Sequence, residues 1–231
     1  PNKKYGLITF DDGYFNNTWI VDILNKYQVP ATFFISTSLI TENEKNWPDV
    51  IYFERHKRGA TDDEIHKEVV WLSSQRIKAI KDYIAKEFGN KSFIPQGDED
   101  RMLNQKELLT FSKNNLVNIG NHSHNHEALG NLTKQEVINE LSESQQIFLD
   151  ILGYEPNFIS YPYGSFNDDV VNVAKSLGFT KGITTIQRKN KIPIPTKQLM
   201  TLNRLNPRVQ DNLFNFNELR SPIQLKTSLK Q

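Results

Sequence analysis

The opening 35 residues constrain the fold more than any other stretch. Leu7, Ile8 and Phe10 form a short apolar run between Gly6 and Gly13, too brief for a helix, which predicts a buried strand. Trp19, Ile20, Ile23, Leu24 and Tyr27 then recur at helical spacing, predicting an amphipathic helix over 16–27 packed on that strand. After Pro30, Ala31-Thr32-Phe33-Phe34-Ile35 has the aromatic and β-branched residues of a second strand. Strand, helix, strand makes a parallel βαβ unit, because parallel neighbours need a crossover connection.

The same rhythm returns later. A helix is expected near 104–114, a strand at 116–119, and a loop from Gly120 to Leu132. A long helix then runs from Thr133 to about 152, with Thr133 and Glu136 as its capping box. Strands at 157–160 and 181–184 flank a helix at 167–177, and 199–205 suggests a last short strand. This alternation means a parallel α/β fold, either a barrel or an open sheet. Residues 41–103 break the rhythm. They are more polar, with two helices expected near 62–72 and 74–88, and read as an inserted cap. The charged cluster Phe53-Glu54-Arg55-His56 and His66 lie there and are expected to be mainly solvated. Residues 210–231 form a polar tail, and the whole of 1–231 reads as a single domain.

Charge and composition exclude several classes of function. A formal net charge of +1 offers no attraction for nucleic acid or an anionic membrane surface. No apolar stretch is long enough to span a bilayer, and no signal peptide is visible. The chain starts at Pro1 rather than Met, so a segment upstream is expected, and the compartment, envelope or cytoplasm, stays open. There are no cysteines, so a metal would have to be held by His, Asp, Glu or backbone oxygen.

The chemistry gathers at three predicted strand ends. Asp11 and Asp12 close the first; adjacent carboxylates repel and lose hydration unless a cation or shared proton compensates, although Asp-Gly is also a common turn. His122-Ser123-His124-Asn125-His126 follows another strand and holds three of the five histidines. The His-x-x-x-His spacing puts His122 and His126 on one side of a helical turn, suited to one ion. Ser160-Tyr161-Pro162-Tyr163-Gly164 follows a third. In parallel α/β folds the carboxyl ends of the strands share one side, so these motifs converge. Asp12, His122 and His126 would supply one carboxylate and two imidazoles with a position left open, the pattern of a catalytic zinc site.

Thr9-Phe10-Asp11-Asp12-Gly13, His122-Ser-x-x-His126 and Tyr161-Pro162-Tyr163-Gly164, in this order, resemble the motifs of the polysaccharide deacetylase (NodB-homology) family. The resemblance covers 5–40 and 104–205. It implies a distorted, incomplete (β/α) barrel, here with a helical insertion, and metal-dependent removal of acetyl groups from N-acetylated glycans or glycolipids. Carried over, it makes Asp11 the general base, and Asp12, His122 and His126 the ligands of a divalent metal, with zinc expected. The backbone N–H of Tyr163 becomes the oxyanion donor. Ser123 is expected to orient the loop, with His124 outside the ligand set. Two positions depart from the pattern. The Arg that tethers the base in many members is replaced by Ser160, with Arg204 as a candidate substitute. No His follows His126 to protonate the leaving amine, so that acid lies upstream of Pro1, is His56 or His66, or is absent. The same resemblance also fits a carbohydrate-binding relative without turnover, or a deformylase or O-acetyl esterase. Tyr14, Phe15, Trp47 and Tyr161 are candidates for stacking on sugar rings.

Overall fold

A computed structural model describes residues 5–206. Its sheet has five strands among the described residues, β1 (Ile8–Phe10), β2 (Ala31–Ile35), β3 (Val117–Asn121), β4 (Phe158–Ser160) and β5 (Lys181–Ile183). All neighbours pair in parallel, with Ile8 opposite Ala31, Phe33 opposite Ile119 and Ile159 opposite Gly182. The spatial order is the chain order, β1-β2-β3-β4-β5. That order decides between the two architectures the sequence left open. A doubly wound sheet reverses direction at a switch point, whereas strands added always to the same side curl toward a barrel. The result is an incomplete (β/α) barrel.

The crossover helices are α1 (Val21–Tyr27), α7 (Lys134–Leu152) and α8 (Asp168–Ser176), while α6 (Gln105–Phe111) leads into β3. Their starts follow from the sequence. Thr133 and Glu136 form the expected capping box on α7, Asn104 and Glu107 form a second on α6, and Asn167 caps α8. One apolar core joins Leu24, Phe33, Leu108, Phe111 and Phe148 under β1–β3. Another joins Leu141, Ile159, Tyr161, Val170 and Val173 under β4 and β5.

Several expectations are corrected. Among the described residues β1 is an edge strand with Ile8 41% exposed, not a buried one, because the strand order leaves it a single partner there. The 16–27 helix opens as a 3-10 turn (Phe15–Ile20), and Phe15, Ile20, Val21 and Leu24 face the core while Trp19, Ile23 and Tyr27 are exposed. The strand expected at 199–205 is a 3-10 turn (Thr196–Thr201) followed by one parallel bridge from Leu202 to Ile183. This segment lies close over β5: a Cβ on Gly182 would stand 2.4 Å from the Met200 carbonyl oxygen. The expected polar tail, 210–231, lies outside the described residues.

Between β2 and β3 the chain forms four helices before α6: α2 (Thr37–Glu42), α3 (Trp47–Lys57), α4 (Asp62–Leu72) and α5 (Ile77–Phe88). The last two were expected, and α2 and α3 were not. The exposed Tyr52 and Phe53 and the charged run at 54–57 blur the helical period of α3. Tertiary bonds hold it instead, with Arg55 reaching Glu68 at 2.7 Å and Glu87 at 3.0 Å. Trp47, Val50, Ile51, Ile65, Ile80 and Ile84 give these helices an apolar cluster of their own.

Candidate metal centre

The turn after β1 is tightly built. Asp12 takes a left-handed backbone (φ 76°), and Gly13 donates to the Asp11 carbonyl at 3.0 Å. A Cβ on Gly13, itself at φ 98°, would press on Ile35 at 3.1 Å, so β2 approaches here because the residue is glycine. The Asp12 carbonyl accepts from Ser36 N–H at 3.3 Å, tying the turn to the end of β2.

The His122–His126 segment is not the helical turn expected. Ser123 (φ 64°) and His126 (φ 55°) are both left-handed, and side chains hold the loop in place of a helical ladder. Asn121 Oδ1 accepts from Ser123 N–H at 2.7 Å, and Ser123 Oγ accepts from His126 N–H at 3.1 Å, the orienting role expected of Ser123. Glu140 on α7 accepts from Asn125 N–H at 2.9 Å and from its side-chain amide at 2.6 Å. The loop brings both rings together with their centroids 4.8 Å apart.

His122 Nδ1 stands 2.7 Å from the Ser160 carbonyl oxygen. A carbonyl only accepts, so Nδ1 carries the proton and the lone pair of the neutral ring is on Nε2. Asp12 Oδ1 lies 3.4 Å from that Nε2 and 3.0 Å from His126 Nε2, and the two nitrogens are 3.2 Å apart. Tetrahedral ligands at zinc–nitrogen distances of about 2.0–2.1 Å lie roughly 3.3 Å from one another. The three observed separations match that spacing, and one carboxylate with two imidazoles is a donor set that suits such an ion. Electrostatics agree. Burial would raise the Asp12 carboxyl, but His126 and His122 outweigh it and hold the group well below the usual carboxylate range. Burial would lower His122, yet Asp11, Asp12 and the Ser160 carbonyl carry it above its ordinary value. The cluster is built to hold positive charge.

Asp11 points into the same space. Arg204 grips both its oxygens, at 2.8 and 2.7 Å, and Asp11 Oδ2 is 3.9 Å from His122 Nε2. Arg204 thus reaches the residue it was expected to tether, and Ser160 Oγ adds a weak contact at 3.4 Å. Tyr163 sits in the 3-10 turn after β4 with φ 57°. Among the described residues its N–H finds no protein acceptor, and its hydroxyl lies 3.0 Å from His126 Nδ1.

Other candidates are placed elsewhere. His124 bonds Thr37 and Glu143, as expected of a residue outside the ligand set. His56 pairs with Asp62, and His66 is exposed on α4, so neither joins the cluster. Tyr161 is fully buried with its hydroxyl on the Met200 carbonyl, a core residue rather than a sugar platform. Tyr14 bonds Asp49, and Phe15 packs on the core. The contact that sequence reasoning missed is Trp47, 116 positions from Tyr163 in the chain, whose indole N–H donates to the Tyr163 hydroxyl at 3.1 Å. No local pattern signals a contact of that separation.

An incomplete parallel (β/α) barrel with an acid–histidine–histidine cluster at its strand ends defines the class. The polysaccharide deacetylase family matches residues 1–182, and the chain belongs to it. YxkH of Bacillus subtilis is 25% identical over 186 residues, 80% of this chain and 46% of YxkH. Chitin deacetylase 1 of Cryptococcus neoformans is 32% identical over 104 residues, 45% of this chain and 22% of that protein. The chain therefore spans less than half the length of these relatives. The Streptococcus pyogenes deacetylase PplD, solved in complex with acetate, shares the fold with a TM-score of 0.61 at 19% identity, over 96% of this chain and 73% of PplD. Among the described residues no helix is long and apolar enough to cross a membrane.

Proposed function

We propose that this chain is a metal-dependent deacetylase that hydrolyses the acetamide of an N-acetylated amino sugar in a glycan or glycan precursor. The observation that carries the reading is the Asp12–His122–His126 cluster, spaced at 3.0–3.4 Å beside an Asp11 gripped by Arg204. Asp12 Oδ1 and the Nε2 atoms of His122 and His126 would hold the ion, with zinc the best fit to the donor set. Such an ion, when bound, makes water acidic enough to attack at neutral pH and polarises a carbonyl. The remaining work falls to the chain. Asp11, oriented by Arg204, takes the proton of the attacking water as general base. The unengaged Tyr163 N–H donates to the oxygen on which negative charge develops. Water adds to the carbonyl carbon, the C–N bond breaks, and acetate and the free amine leave. The glycan class follows from membership of the family and from a relative named for chitin. Residues 41–103 act in this reading as a cap inserted into one catalytic domain, a role supported by their separate apolar cluster.

The test is acetate release from chitin oligomers by zinc-loaded protein, beside Asp11→Asn. Retained zinc with acetate release reduced about 10²–10⁴-fold is expected of a lost general base. A zinc-loaded parent that releases no acetate, while still binding the oligomers, would instead make it a carbohydrate-binding relative.

A further inference from the structure

We infer that Trp47, from the helical segment between β2 and β3, is a positioning residue for the metal ligand His126, acting through the Tyr163 hydroxyl. The inference rests on the metal reading above and extends it to a residue outside the three motifs. Trp47 opens α3, is only 3% exposed, and is packed with Val50, Ile51, Ile80 and Ile84, so its indole has one available direction. Its N–H donates to Tyr163 Oη at 3.1 Å, and Tyr163 Oη lies 3.0 Å from His126 Nδ1.

The direction of these bonds matters. Indole only donates, so it takes a lone pair of the phenol oxygen. If His126 binds an ion through Nε2, its Nδ1 carries the proton and donates to the same oxygen. Tyr163 then accepts twice, and its own proton turns toward solvent, for which the residue is 37% exposed. The imidazole is aligned by an oxygen that a buried indole holds in place. Tyr163 needs such a hold: a non-glycine residue at φ 57° is strained and persists only where its surroundings over-determine it. A second link joins the same two parts of the chain. Glu127, next to His126, accepts from Ile77 N–H at 2.8 Å at the start of α5 and pairs with Arg76 at 3.4 Å.

The experiment measures zinc affinity by competition with a chromophoric chelator for the parent, Trp47→Phe, Tyr163→Phe and the double variant. Cobalt(II) absorption spectra report on ligand geometry, and thermal unfolding confirms that each variant is folded. Loss of an outer partner of a metal-ligating His typically weakens binding 10–100-fold. We expect that for Tyr163→Phe, with Trp47→Phe weakened about tenfold and shifted cobalt bands in both. The double variant should bind no more weakly than Tyr163→Phe alone, since Trp47 has nothing to act through once the hydroxyl is gone. A Trp47 effect of equal size in the Tyr163→Phe background would show general destabilisation and overturn the inference. So would parent-like zinc affinity and cobalt spectra in Trp47→Phe. A parent that binds no zinc would overturn the metal reading itself, a distinct outcome.

Discussion

At the scale of single residues, the centre depends on partners more than on ligands. Asp12, His122 and His126 stand close enough to share one ion because Asn121, Ser123, Ser160 and Glu140 fix the loops that carry them. The ligand types and their order could be read directly from the sequence, since carboxylates and imidazoles at strand ends are chemically distinctive. The bent path of the His122–His126 loop could not, because it is set by side-chain bonds from α7 and β4 that no local period encodes. Arg204 lies between these cases, named on its place near the last strand and then found 2.7–2.8 Å from Asp11 across 193 positions. Arg204→Ala should leave zinc content unchanged and lower kcat for acetate release by about 10²-fold, the cost of a catalytic group that has lost its orientation. Arg204→Lys should rescue little, since an ammonium cannot reproduce the two-pronged grip. Metal analysis beside steady-state kinetics checks both.

At the scale of elements, the helices with clear caps were the readable ones. Thr133 with Glu136 marks α7 because a capping box satisfies two backbone donors within one turn of sequence. The start of α5 was placed three residues early, at 74 rather than Ile77, because what ends its exposed N–H groups is Glu127, 50 positions away. The bridge beside β5 is likewise tertiary. Leu202 donates to the Gly182 carbonyl at 2.8 Å, and Thr184 donates to the Leu202 carbonyl at 2.8 Å. Gly182 makes that approach sterically possible. Gly182→Ala should therefore cost about 1–3 kcal/mol, the usual range for overpacking, as its Cβ meets the Met200 carbonyl and the Tyr161 hydroxyl. Chemical denaturation measures it, and a change below a few tenths of a kcal/mol would show that this segment yields freely.

At the scale of the whole molecule, a buried ion pair ties the helical segment together. Lys45 and Asp100 meet at 2.9 Å with side chains 4% and 9% exposed. Burial would raise the Asp100 carboxyl, but Lys45 and the N–H groups of Gly97 and Gln96 outweigh it and lower it from its ordinary 3.8. A carboxyl whose folded pKa is depressed contributes stability above its unfolded value and loses it as pH falls through the folded one. Asp100→Asn should thus cost about 3–5 kcal/mol at pH 7 by leaving Lys45 buried without its counter-charge. The gap to the parent should close below pH 3.8, where Asp100 itself takes up a proton; denaturation at several pH values tests both statements. The sequence by itself determined the parallel strand–helix rhythm, the capped helices and the identity of the ligands, because periodicity, capping and side-chain chemistry are local properties. Tertiary structure alone decided that the strands follow one another into an incomplete barrel, that Arg204 reaches Asp11, and that Trp47 reaches His126 through Tyr163. Those contacts join residues more than a hundred positions apart, and their energies exist only once the chain has closed on itself.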